Sequence, residues 1–161
     1  QPYLGVAGIG FDGLIAWEFS KTKKRGMFSY VKIILKQLAA FRSSHYVVSA
    51  DNVQYNFDAF IITIANTQQY GNDAFIAPKA ELTDGQIDLV VIKKHSKWLL
   101  PLLAIQMMTK NIHKSRYVET IRSTKFDIQT SYEQAHIDGE PILSKTENEV
   151  VVLPSSLIIY A

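Results

Sequence analysis

The 161-residue sequence predicts a mainly β, α+β domain: an antiparallel β-sandwich with two or so packed helices, built as a single domain over residues 1–161. Three observations predict it. Short runs rich in β-branched and aromatic residues recur along the chain and are separated by brief polar turns, as antiparallel sheets require. The run at 87–92 is apolar on both faces, with Ile87, Leu89 and Val91 on one and Val90 and Ile92 on the other. Such a strand belongs inside a stack rather than at its rim. Two segments, 29–41 and 96–111, carry apolar residues at helical spacing instead.

Bulk properties narrow the function classes. A net charge of +2 is too small to argue for nucleic acid. The chain has no cysteine, which excludes a disulfide framework and a thiolate zinc site and is compatible with a reducing cytoplasm. The first residue is Gln rather than Met, which suggests a chain cut at a domain boundary. The most apolar run, 98–108, contains Pro101 and Gln106 and is too short to span a bilayer.

In chain order, residues 3–9 read as a strand entering a turn at Gly8 and Gly10, and 11–19 continue as strand or helix. A basic loop follows with Lys21, Lys23, Lys24 and Arg25. It is either a solvated loop or a contact for anionic lipid headgroups. Ser29 is a suitable N-cap for a core-packing helix whose face is Val31, Ile34, Leu35, Leu38 and Phe41. Strands are expected at 46–48, 53–57 and 60–65, with turns at Asp51-Asn52 and Phe57-Asp58. In the second helix Trp98, Leu99, Leu102, Leu103, Gln106 and Met107 give one wide apolar face, either core or a groove for lipid acyl chains, and Pro101 is tolerable only in the first turn. Strands at 117–121, 124–129, 134–137, 149–153 and 156–160 complete the pattern.

Two Asp-Gly turns could carry chemistry. Asp84-Gly85 precedes the doubly apolar strand and is either a plain reversal or a carboxylate-and-carbonyl seat for a hard cation. In Asp138-Gly139-Glu140, two carboxylates flank one glycine. The turn is either a hairpin, for which Asp-Gly is a strong signal, or a point where two carboxylates converge to accept a proton. His136, two residues earlier, either orients Asp138 or faces solvent from its strand. No Walker-type loop, Rossmann spacing or His-Glu-x-x-His occurs, and the four histidines lack metal-ligand spacing.

Four ordered stretches carry a resemblance: Gly8-Ile9-Gly10-Phe11-Asp12-Gly13, Ala65-Asn66 ahead of Tyr70-Gly71, Ala77-Pro78-Lys79-Ala80 with Thr83-Asp84-Gly85-Gln86-Ile87-Asp88, and Ile137-Asp138-Gly139-Glu140-Pro141. Together they resemble the second half of the diacylglycerol kinase-like lipid kinases, a family that includes the sphingosine and ceramide kinases. The resemblance implies the second domain of the NAD kinase/diacylglycerol kinase-like fold, and ATP-dependent phosphorylation of a lipid hydroxyl. By the same resemblance, Asp138 and Glu140 would supply the catalytic base, while Asp12 and Asn66 would face the cofactor cleft. Asp84 would hold a structural Mg²⁺ by its side chain, and Glu81 and Gln86 by backbone oxygens. Asp12 as a helix cap and Asn66 as a turn residue are the readings without it. The family's nucleotide-binding half, with its Gly-Gly-Asp-Gly-Thr loop, is not among these residues, so the isolated chain is expected to be inactive. An NAD kinase-like enzyme and a non-catalytic sandwich binding lipid or a partner are the alternatives. The implied setting is cytoplasmic with possible membrane association, the substrate a lipid, and the cofactors ATP and Mg²⁺.

Overall fold

The computed structural model describes residues 2–22 and 26–156. Residues 157–160 of the expected last strand, and Lys23, Lys24 and Arg25 of the basic loop, lie outside them. The order is β1 (Val6–Gly10), α1 (Phe11–Ser20), α2 (Met27–Ala40), β2 (Ser44–Ala50), β3 (Val53–Ala65), β4 (Ile87–Lys93), α3 (Leu100–Met108), β5 (Val118–Ser123), β6 (Lys125–Thr130), β7 (Gln134–Ile137), β8 (Glu140–Leu143) and β9 (Glu147–Val151). Among the described residues every strand pair is antiparallel, as expected. The strands follow the path β8-β7-β1-β3-β2-β6-β9, and β4 and β5 branch from β3.

The spine is β3. Phe57-Asp58 is not a turn: the two strands expected there run on as one 13-residue strand. A register shift between Ala59 and Ile61 absorbs the break, since a bulge bends a strand without ending it. The half of β3 before the bulge pairs with β2, and the half after it lies between β1 and β4. Asp51 and Asn52 do form the preceding turn, both with positive φ (49° and 64°), as a two-residue hairpin loop demands.

The two faces of β4 are both buried, which explains its composition. Leu89 and Val91 join a cluster with Tyr46, Ile62, Phe126 and Ile128. Val90 and Ile92 join a second cluster with Phe11, Ile15, Phe41, Phe60 and Leu103, where the helices cover the sheet.

The helices depart from expectation in register. Residues 11–19 are helical. Gly10, at φ 119°, ends β1 and turns the chain directly into α1. Gly26, not Ser29, precedes α2, so that helix starts at Met27. Its packed side is Ile33, Ile34 and Leu38, while Val31 and Leu35 are exposed. Pro101 does fall in the first turn of α3. That helix stops at Met108 because the Thr109 hydroxyl takes the Ile105 carbonyl (2.8 Å) and Lys110 adopts φ 58°. Leu100, Leu103 and Met107 pack inward, whereas Trp98 and Leu102 point outward. Strand β8, absent from the sequence reading, contains Pro141, which is tolerated there at the edge of the sheet.

One charged pair is built into this core. Asp88 is 3 % exposed on β4, and Arg122 on β5 reaches it through Nε (3.0 Å) while donating from Nη2 to the Lys79 carbonyl (2.8 Å). Arg122→Gln strands a buried carboxylate. Because the guanidinium is itself partly exposed and screened, the expected loss is on the order of 2 kcal/mol rather than the larger cost of a fully buried pair. Urea unfolding measures it, and adding Asp88→Asn should recover most of the loss.

Candidate functional site

Register fixes a corner of the sheet. Val6 pairs with Ala65 and Ala7 with Ile137, so the residues just before β1, just after β3 and just after β7 meet at one end. Asp138 and Gly139 both have positive φ (49° and 86°) and form the two-residue turn between β7 and β8. The Asp138 amide donates to the Val6 carbonyl (2.8 Å). Its carboxylate accepts from the amides of Leu4 (3.2 Å), Gly5 (3.0 Å) and Val6 (2.8 Å). A Cβ at Gly5 would lie 2.6 Å from Asp138 Oδ1, so any other residue there would push the carboxylate off these amides. Asn66 closes the same corner: its side chain donates to the Leu4 carbonyl (3.0 Å) and its amide to the Gly5 carbonyl (2.9 Å).

Behind the turn lies a second tier. Asp12, in the first turn of α1, receives the Tyr70 hydroxyl (3.0 Å) on Oδ2 and lies 3.3 Å from Thr63 Oγ1 and from His136 Nε2. Tyr70 and Thr63 also hydrogen-bond each other. Gly8 makes room, since a Cβ would sit 2.0 Å from Asp12 Oδ2. Burial, then the Asp12 charge, raises Tyr70 well above the ordinary phenol range, so it donates at neutral pH.

His136 is buried (5 % exposed), so the solvent-facing reading is corrected. Pairing within β1–β7 turns its ring inward, where Nε2 meets Asp12 and Nδ1 accepts the Gly139 amide at 3.3 Å. It therefore bridges Asp12 to the 138–140 turn. Thr63 is not among the expected site residues, Tyr70 enters the sequence reading only within the 65–71 motif, and His136 only as a residue that orients Asp138 or faces solvent.

The remaining expected residues are placed as follows. Glu140 opens β8 at the surface, and among the described residues its carboxylate makes no hydrogen bond and shares no partner with Asp138. The Asp84 turn is separate from Asp12 and Asp138. Asp84 Oδ1 accepts the Gln86 amide (2.9 Å), and Oδ2 lies 3.6 Å from Arg122 Nη1. Glu81 lines a depression of about 380 Å³ with Thr67, Gln68, Ala80, Leu82 and Thr83, which connects this turn to the residue beside Asn66. The donors at 81, 84 and 86 are one carboxylate and main-chain oxygens, without nitrogen or sulfur. Among the described residues no three His, Asp or Glu side chains gather to hold a metal, and Arg122 already shares Asp84, so any cation here would rest on that one carboxylate and on carbonyls, the oxygen donors a hard cation takes. Lys21 pairs with Glu18 (2.8 Å).

The His136–Asp12 contact gives a pH dependence. Burial lowers the imidazole pKa, but the Asp12 hydrogen bond and charge, with Asp138 adding, outweigh it and hold His136 above its ordinary value. A raised folded-state value means that the contribution is complete below the unfolded value of about 6.5 and is lost as pH rises through the folded one. Stability measured by thermal unfolding should fall over that window, and His136→Gln should flatten the profile.

Comparison with known proteins agrees with this fold. The family described as the YegS C-terminal NAD kinase beta sandwich-like domain matches residues 5–161. A Citrobacter koseri protein named "Probable lipid kinase YegS-like" is 28 % identical over 96 % of this chain and 51 % of its own length. An Escherichia coli protein named "Probable lipid kinase YegS" is 27 % identical over the same shares. A solved Bacillus anthracis str. Sterne structure superposes with TM-score 0.66 at 16 % identity, covering 94 % of this chain and 50 % of that one. A second structure, titled as a diacylglycerol kinase from that organism, gives 0.55 at 15 %, covering 98 % and 52 %. The chain thus spans about half the length of the curated relatives it matches. With the family match covering nearly all its residues, the chain belongs to the YegS C-terminal NAD kinase beta sandwich-like domain family.

Proposed function

We propose that this chain is the lipid-side half of an ATP-dependent lipid kinase, acting on the hydroxyl of diacylglycerol, a sphingoid base or a related lipid at the cytoplasmic face of a membrane. The observation that carries the reading is the 138–140 turn, held from one side by three amides on Asp138 and from the other by His136. A proton acceptor is effective when its geometry is set before substrate arrives. The three amides leave a lone pair on Asp138 Oδ2, and Glu140 stands two residues away with its carboxylate unengaged.

In the proposed step the lipid hydroxyl oxygen bonds to the γ-phosphorus and the bond to the β,γ-bridging oxygen breaks. The hydroxyl proton passes to a carboxylate of the Asp138–Glu140 pair as ADP departs. ATP supplies the phosphoryl group, and the half of the protein found in the relatives but not here is proposed to cradle it. Asp12 and Asn66 act on this chain's side by holding the turn and the 4–6 segment in place. Asp84, with the carbonyls of Glu81 and Gln86, would hold Mg²⁺, whose fixed charge would brace the 77–86 loop.

Two measurements test this. In a polypeptide joining this chain to the nucleotide-binding half, Asp138→Asn and Glu140→Gln are assayed for transfer of labelled phosphate from ATP to diacylglycerol. The variant lacking the base should lose about 100-fold or more in kcat. Unchanged turnover in both removes the assignment, and melting curves separate lost chemistry from a loosened corner. For the cation, Mg²⁺ at about 100 times its Kd should stabilise the chain by about 2.7 kcal/mol. Asp84→Ala should abolish that gain.

A further inference from the structure

The small net charge hides a segregation. Between Glu18 and Asp51, and again between Asp88 and Glu119, the sequence has no acidic residue. Those two stretches hold 13 of the 17 Lys and Arg residues and none of the 15 Asp and Glu. They are also the stretches that contain α2 and α3.

The same two helices display apolar side chains that no other described residue covers. On α2, Phe28, Val31 and Leu35 follow i, i+3, i+7 spacing, and Phe28 is 86 % exposed. On the turn leading into α3 and on α3 itself, Trp98, Leu102 and Ile105 follow i, i+4, i+7, with Trp98 92 % exposed and Met108 close by at 64 %. Both helices press their opposite sides into one apolar cluster over the sheet. Lys97 Nζ donates to the Ala39 carbonyl (2.8 Å), so the end of α2 meets the start of α3. Both uncovered stripes face away from that shared cluster. Lys32, within α2, and Lys114, in the short turn that follows α3, are exposed and make no ion pair among the described residues.

We propose that the α2–α3 face docks on an anionic phospholipid bilayer, with Phe28, Leu35, Trp98 and Leu102 entering the headgroup–acyl boundary and the surrounding lysines meeting lipid phosphates. Charge selects the occupant. A second copy docking through the same face would bring two lysine-rich surfaces together, each with Glu18 against Gln37 of α2 (2.9 Å), whereas an anionic leaflet complements the excess of positive charge. An exposed indole flanked by lysines suits a boundary that is apolar on one side and wet and anionic on the other. This surface differs from the basic loop at 21–25, and it does not depend on catalysis.

The test uses the chain without nucleotide. Vesicles of phosphatidylglycerol and phosphatidylcholine in equal parts, and of phosphatidylcholine alone, are sedimented with the protein while Trp fluorescence is recorded. Binding should be at least about 10-fold tighter to the anionic vesicles and should weaken in high salt. A blue shift should disappear in Trp98→Phe, which leaves only the half-buried Trp17 to report. Phe28→Ser with Leu35→Ser, and Lys32→Glu with Lys114→Glu, should each reduce binding about 10-fold or more. All four positions are exposed, so folding should survive, and circular dichroism checks it. Absence of binding to anionic vesicles, or binding that these variants leave intact, overturns the proposal. So does concentration-dependent dimerisation lost in the same variants without vesicle binding, which would make the face a contact between copies.

Discussion

The arrangement depends on one carboxylate satisfying a strand entrance. The amides of Leu4, Gly5 and Val6 arrive at the sheet edge before β1 pairing is established, and Asp138 accepts all three. Unpaired amides at such a point would each cost about 1–3 kcal/mol if buried. The contact also ties sequence positions more than 130 residues apart. It therefore locks β7 to β1, and Asn66 extends the lock to β3 through the Leu4 carbonyl. One side chain both completes the fold and presents a charged oxygen at its corner, so the fold and the candidate chemistry cannot be separated by mutating it alone.

The second tier explains why the corner is stiff. His136 can bridge Asp12 and Gly139 only because Gly8 lets the strand pass close beneath them. Tyr70 then donates to Asp12 Oδ2, and Thr63, with one proton to give, supports the Tyr70 hydroxyl beside it. A buried carboxylate is tolerable when donors surround it, and here they come from α1's neighbours on three separate stretches of chain.

The sheet was legible because its signals are local. Alternation, the two-sided apolarity of 87–92 and Asp-Gly turns each act within a few residues, and the antiparallel architecture follows from them. The bulge in β3 was not legible, since Phe57-Asp58 looks like a turn until pairing with β2 carries the chain through it. Helix faces were read about one residue out of phase for α2, where Ile33 rather than Leu35 meets the core. Apolar content shows that a helix packs but not what covers its other side. For the site, Asp12, Asn66 and Asp138 were visible as motif residues, and the structure brings them to one corner. The inward turn of His136 was hidden, because facing direction is set by pairing register with β1 and not by the residue's own neighbours.

The positions of the helices bear on how a carboxylate at that corner could meet a lipid. Helix α1 packs against α2 and also against the β7–β8 hairpin. A packed helix spaces its neighbours by about 8–10 Å from axis to axis. The basic, apolar-studded α2 surface and the hairpin that carries Asp138 and Glu140 are thus linked through one helix. A lipid hydroxyl lies at headgroup depth, near the boundary that an exposed Phe28 or Trp98 would enter. If the helix face sets the depth of docking, α1 sets the height of the proton acceptor above it. On the proposed function, such a spacer would hold a carboxylate of the Asp138–Glu140 pair at a fixed height from the docked face.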